Sequence, residues 1–178
     1  IATCAALLLV FNQSHFIQAR IAMLEMPMTA LLLIGACCLV RGQQVTEGAR
    51  RWDYAGVIAL GLAVGAKWLA IPFAVLALGL TAWAKSRAKG YDLVFTIDKV
   101  APDIIKLGLA MLGAYLITFW PAFFYSQDPM TFGGLFGHQF DMLDSQSGAL
   151  APHPYQSDWW SWPLMLRPIW YLFEQIGD

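Results

Sequence analysis

Three charged residues lie inside or at the edge of otherwise apolar stretches: Arg20, Glu25 and Lys67. A guanidinium suits bidentate contact with a phosphate, and an ammonium supplies a second positive charge. Arg20 and Lys67 are therefore candidates for binding a lipid-linked phosphate, and equally candidates for anchors whose charged tips reach the membrane surface. Glu25 needs a hydrogen-bonding partner or becomes protonated. A structural role for Glu25 between helices is at least as well supported as a catalytic one.

Residues 152–157 (PHPYQS) form the most distinctive polar segment. Its prolines restrict the backbone to extended or turn conformations, which would present His153 and Tyr155 rigidly to a ligand. Four tryptophans follow closely: Trp159, Trp160, Trp162 and Trp170. They are typical of an aromatic belt at the membrane interface, and stacking of a tryptophan against a sugar is compatible with that position.

Other common site signatures are missing from the sequence. The three histidines have no ligand-like spacing, so no metal site is predicted. There is no P-loop and no GxGxxG motif, so no nucleotide site is expected.

The composition indicates which class of protein must position these groups. Of 178 residues, 58% are hydrophobic and only 13% are charged, far from the balance of a soluble domain. Disorder, a disulfide scaffold and a basic nucleic-acid module are all disfavoured, and a net charge of −1 implies no polyanionic partner. An integral membrane protein remains, and the apolar start at Ile1 suggests an internal piece of a longer chain.

Apolar runs predict an all-α, polytopic transmembrane helical bundle. Residues 1–11 are expected to end one span, residues 21–40 and 107–125 to form two more, and residues 54–84 to form a helical hairpin. The predicted organisation is transmembrane helices with two basic cytoplasmic loops over 1–125, an extracytoplasmic loop over 126–160, and the start of a further span over 161–178.

The distribution of lysine and arginine predicts the orientation. The basic residues gather in two loops, residues 41–53 and 85–106, which are both predicted to be cytoplasmic. The apolar stretch between them must leave and return to the same side. Because its 31 residues cover roughly 46 Å as helix, two short helices turning near residues 65–68 are expected. That turn would place Lys67 at the outer surface.

The outer loop contains one further predicted element. Residues 131–143 (TFGGLFGHQFDML) carry aromatic and leucine side chains at helical spacing. A short amphipathic helix lying on the outer surface is the expected structure, although the paired glycines at its start weaken a helix.

Three segments, in this order, resemble one enzyme family. Residues 18–25 (QARIAMLE) resemble the (S/A)RIAMLD segment of protein O-mannosyltransferases, and residues 65–68 (GAKW) resemble their glycine-x-Lys-Trp turn. Residues 153–164 (HPYQSDWWSWPL), followed by Arg167 and Pro168, are similar to the HPYxSxWWxWPL…RP signature. Glu25 departs from the aspartate of the family motif but keeps the carboxylate.

The resemblance implies a multi-pass transferase of the GT-C type in the plasma (inner) membrane. The expected partners are a polyprenyl-phosphate-mannose donor, an acceptor protein bearing Ser or Thr, and the lipid bilayer, with an extracytoplasmic active face. No cofactor is assigned, and a need for a divalent metal is left open. Arg20 and Lys67 are the implied phosphate-binding residues.

Pocket roles are implied for Glu25, His153, Tyr155, Ser157 and Trp159. The family's catalytic acid is expected upstream of Ile1, so no general base is assigned. Two alternatives stay open: a related GT-C enzyme that moves another sugar, such as aminoarabinose onto lipid A, and a transporter or scaffold subunit without chemistry.

Overall fold

The computed structural model describes residues 2–12, 23–88 and 97–147, and within these ranges all regular secondary structure is helical. Ile1–Met130 form one compact unit and Thr131–Asp178 a second. The prediction of an all-α membrane bundle is confirmed. Among the described residues, three stretches are long and apolar enough to cross a membrane: Glu25–Gln44, Trp68–Ala88 and Ala101–Phe124.

Six α-helices and two 3-10 turns make up the described chain. The helices are α1 (Ala2–Val10), α2 (Glu25–Gln44), α3 (Ala49–Ala66), α4 (Ile71–Ala88), α5 (Ile97–Ile117) and α6 (Phe132–Ser147). The 3-10 turns are Trp68–Ala70, before α4, and Trp120–Phe124, after α5.

The predicted break in the 54–84 stretch is confirmed at the expected position. Helix α3 ends at Ala66, Lys67 is extended with φ −160° and ψ 131°, and the 3-10 turn follows at once. Each of the two helices has 18 residues, longer than expected, because both continue into the polar segments on the other side. At about 1.5 Å per residue, each is roughly 27 Å long.

The prediction of a polar loop over residues 41–53 is wrong for most of that range. Helix α2 continues to Gln44 and α3 begins at Ala49, so the connection is only residues 45–48. Arginine, glutamine and alanine are good helix formers, and they extend both helices beyond the apolar core. Gly48 makes the turn with φ +70°, a conformation that glycine adopts without a steric penalty. Likewise, α5 begins at Ile97, inside the predicted second loop.

Helix α3 is the central helix of the first unit and packs against both α2 and α5. Val57, Leu60 and Ala63 are almost completely buried. Close approach is possible because glycines face the contacts: a Cβ on Gly56 would lie 3.0 Å from the Gly35 carbonyl oxygen, and one on Gly61 would lie 2.2 Å from that of Met111. Small residues at such crossings are the usual device of membrane helices, which gain little from apolar burial alone.

The amphipathic helix predicted over 131–143 is confirmed as α6, which begins at Phe132 despite the two following glycines. Gly134 donates its backbone N–H to the Thr131 hydroxyl at 3.1 Å, a capping contact at the helix start. Its large apolar side chains are more than half exposed: Phe132, Phe136, Phe140 and Leu143. Leu135, on a neighbouring face, is buried.

Candidate functional site

Two of the predicted site residues meet at one end of the first unit. Lys67 lies in the break after α3, and its Nζ donates to Oε1 of Glu25, the first residue of α2. The two side chains are 39% and 22% exposed, respectively. Glu25 therefore has the partner that its position requires, from a segment 42 residues away in sequence. The pair joins two helices and still leaves the ammonium accessible.

Local structure places each partner. Glu25 lies in the first turn of α2, where free backbone N–H groups and the helix dipole favour a carboxylate. Thr29 donates its hydroxyl to the Glu25 carbonyl oxygen at 2.7 Å. The Lys67 N–H closes the last turn of α3 by donating to the Ala63 carbonyl oxygen at 3.1 Å. The ammonium therefore extends from a backbone that is fixed at a helix end.

The residue after Lys67 ties the same turn to α5. Trp68 donates its indole N–H to the Tyr115 hydroxyl at 3.0 Å. Tyr115 also contacts Phe119 edge-on, with ring centroids 5.4 Å apart. A Cβ on Gly65 would lie 2.5 Å from the Thr118 side chain, so α3 and α5 are in close contact here. Helices α2, α3 and α5 thus converge around Lys67.

Aromatic side chains surround this end of α5. Trp120 packs against Phe124 with ring centroids 5.2 Å apart, and Trp120, Phe124 and Tyr125 are all more than half exposed. Tryptophan and tyrosine at the end of an apolar helix are typical of a membrane–water interface. An interfacial position is therefore the expectation for this end of α5.

A second ion pair lies at the other ends of α3 and α4. Lys85 Nζ donates to Asp53 Oδ2 at 2.6 Å, and the Asp53 side chain is only 3% exposed. A looser pair, Arg50 and Asp103, with 3.9 Å between nitrogen and oxygen, joins α3 to α5. These groups line a cavity of about 350 Å³. Sequence reasoning missed Asp53 because it lay in a predicted loop.

Sequence reasoning also missed Tyr115. The available signal was a hydroxyl inside an apolar span, since a buried tyrosine usually finds a hydrogen-bond partner.

The remaining predicted site residues lie outside the described ranges: Arg20, His153, Tyr155, Ser157 and Trp159. Their roles stay predictions. Within residues 2–12, 23–88 and 97–147, no cluster of three or more His, Cys, Asp or Glu side chains is arranged to hold a metal.

Comparisons with known proteins agree on one family. The family described as Dolichyl-phosphate-mannose-protein mannosyltransferase matches residues 1–126. Two curated relatives, each called Polyprenol-phosphate-mannose--protein mannosyltransferase, come from Mycobacterium tuberculosis strains CDC 1551 / Oshkosh and ATCC 25618 / H37Rv. Each is 26% identical over 223 aligned positions, covering 96% of this chain and 42% of the relative. No solved structure matches significantly.

Proposed function

Because the chain belongs to the dolichyl-phosphate-mannose-protein mannosyltransferase family, we propose that it is part of a membrane enzyme that transfers mannose from a polyprenyl-phosphate carrier to Ser or Thr hydroxyls of proteins. The chain spans 42% of the length of the curated relatives it matches. The observation that carries the proposal is the accessible ammonium of Lys67, held by Glu25 at an aromatic-rich end of the bundle.

The reaction requires little chemistry beyond positioning and charge. The acceptor oxygen forms a bond to the anomeric carbon of mannose, the bond from that carbon to the phosphate oxygen breaks, and the phosphate keeps the electron pair. The hydroxyl proton passes to a general base, a role that is not assigned to any of the residues named here. Cations stabilise the negative charge that grows on the departing phosphate.

Lys67 is the described residue best placed for that role. An ammonium has three N–H donors, and Glu25 accepts one of them. Two donors stay available for phosphate oxygens, and the side chain is 39% exposed. Glu25 is then a positioning residue: its carboxylate restricts a long, flexible side chain to one direction and reduces the entropy lost on binding. Arg20 is proposed as the second cation.

The other proposed roles follow from the family resemblance. His153, Tyr155, Ser157 and Trp159 are assigned to the pocket that receives the donor or acceptor. The active face is proposed to be extracytoplasmic, because the basic residues at the opposite ends of α2 and α4, Arg41, Lys85 and Arg87, favour the cytoplasmic side.

The direct test is mannose transfer by membranes that contain the full-length enzyme with Lys67→Gln. Transfer is expected to fall by at least tenfold, with a raised KM for the lipid donor. Lys106→Gln is the matched control, because Lys106 is an exposed lysine of α5. If Lys67→Gln retains the kcat and donor KM of the unaltered enzyme, the phosphate-binding role is wrong.

A further inference from the structure

An apolar groove lies between α2 and α4, mostly along their C-terminal halves and away from the helix ends near Lys67. Its volume is about 280 Å³. The lining residues that matter here are Ala36, Val40 and Gln43 of α2, and Ala77, Leu80 and Trp83 of α4. Thr81 also lines the groove, but its hydroxyl donates to the Ala77 carbonyl oxygen at 2.8 Å and needs no further partner. The groove therefore offers a ligand almost exclusively hydrocarbon.

The groove has a positively charged end. The Arg87 guanidinium carbon lies 5.5 Å from the ring centroid of Trp83, one of the lining residues. Arg41 follows Val40 in the last turn of α2 and is exposed. Unlike Arg50, Lys67 and Lys85, these two arginines form no ion pair with any carboxylate in the described part of the chain. A guanidinium at the polar end of an apolar groove is complementary to an amphiphile with an anionic head.

The lining of the groove favours a hydrocarbon chain over an extended protein segment, because it offers almost no partner for backbone N–H and C=O groups. Both walls are candidate membrane spans, so lipid acyl chains are available at the depth of this groove. An acyl chain fills such a space without leaving backbone polar groups unsatisfied.

We propose that this groove binds one anionic phospholipid from the leaflet on the side of the basic loops. One acyl chain lies between Ala36 and Leu80, and the phosphate contacts Arg87 above the Trp83 ring. The site is distinct from the donor site at Lys67, which lies at the opposite ends of α2 and α4. It does not depend on the proposed transfer reaction.

Native mass spectrometry of the detergent-solubilised, full-length protein tests the site. The probes are phosphatidylglycerol and phosphatidylcholine with the same acyl chains. One phosphatidylglycerol is expected to stay bound, with about fivefold preference over phosphatidylcholine, the factor expected for one basic residue next to a net anionic headgroup. Both lipids carry a phosphate, but the choline of phosphatidylcholine cancels its charge. Equal retention of the two lipids would contradict the proposal.

Two pairs of variants locate the site. Ala36→Trp fills the groove and should abolish retention, whereas Val75→Trp, at an exposed position of α4 outside the lining, should not. Arg87→Gln should remove the headgroup preference, whereas Arg51→Gln, the same charge change at an exposed site of α3, should keep it. Thermal unfolding checks that each variant is folded. The proposal is wrong if Arg87→Gln behaves like Arg51→Gln, or if folded Ala36→Trp still retains the lipid.

Discussion

The ammonium of Lys67, in the break after α3, contacts the carboxylate of Glu25, the first residue of α2. If the pair has only a structural role, any two opposite charges at positions 25 and 67 suffice. If Lys67 binds phosphate, the positive charge must be at position 67. The two roles therefore respond differently when the charges are exchanged. This difference makes the pair a sharp test of the proposed mechanism.

Exchanging the charges, as Glu25→Lys with Lys67→Glu, should restore stability but not transfer. Either single change places two like charges together, which destabilises the helix ends, and the double variant re-forms an ion pair. Transfer should stay at least tenfold below that of the unaltered enzyme, because a carboxylate now occupies the position proposed for the phosphate cation. Thermal unfolding in detergent and a mannose-transfer assay give the two readouts. Full activity of the enzyme with both substitutions would show that the pair is only a structural contact.

Glu25→Gln should separate positioning from charge. The amide keeps a hydrogen-bond acceptor for Lys67 but loses the negative charge, so the ammonium is held less firmly. We expect the KM for the lipid donor to rise by about fivefold to tenfold, equivalent to about 1–1.4 kcal/mol, with kcat changed less. Glu25→Asp, which keeps the charge, should recover most of the affinity. If Glu25→Gln lowers kcat alone and leaves KM unchanged, Glu25 acts on the reacting groups and not through Lys67.

The break at Lys67 was predictable because 54–84 is too long for one span and contains one charge near its middle. The contact between Lys67 and Glu25 was not predictable, because a sequence does not show which faces of α2 and α3 pack together. Glycines determine which faces pack, because the two helix backbones come close where Gly35 faces Gly56. The Asp53–Lys85 pair was missed for a related reason. Both residues continue helices beyond the apolar runs, and hydropathy marks the membrane core but not the helix ends.

Lys85→Met should destabilise the protein strongly. Asp53 is only 2% exposed. Among the described residues, Lys85 is the cation that contacts its carboxylate, so Lys85→Met leaves a buried negative charge without compensation. The expected loss is about 3–5 kcal/mol. Adding Asp53→Asn should recover much of it, because the double variant buries no charge. Chemical or thermal unfolding in detergent measures both. Equal stability of Lys85→Met and Lys106→Met, an exposed lysine in α5, would show that the pair contributes nothing.

Gly61→Ala should disrupt the contact between α3 and α5. The new Cβ would lie 2.2 Å from the Met111 carbonyl oxygen, a backbone atom that moves only if the helices separate. A loss of about 1–3 kcal/mol is expected, as for overpacking in a core. Gly79→Ala in α4 is the control, since nothing lies within 4 Å of its added Cβ. It should be neutral or slightly stabilising, because alanine favours helix over glycine. Similar unfolding temperatures for the two variants would contradict the observed packing.

The exposed apolar face of α6 should lie in the membrane interface. At 100° per residue, Phe132, Phe136, Phe140 and Leu143 fall within an arc of about 80°, and all four are more than half exposed. Asp141 lies on another side of the helix, about 100° or more from each of these four positions. A helix of this pattern places its apolar side chains about 5–10 Å into the boundary between headgroups and acyl chains.

Fluorescence at single cysteines tests this orientation. In a variant whose native cysteines are replaced by alanine, an environment-sensitive dye at position 136 should be blue-shifted and quenched by spin-labelled lipids. The same dye at position 141 should have the emission spectrum of dye in water and escape quenching. Asp141, the residue replaced there, is exposed and lies on a different side of α6 from the four apolar residues. The pair of positions controls for labelling and for the dye itself. Equal quenching at 136 and 141 would mean that α6 does not lie flat with its phenylalanines in lipid, and absence of quenching at both would place the helix away from the membrane.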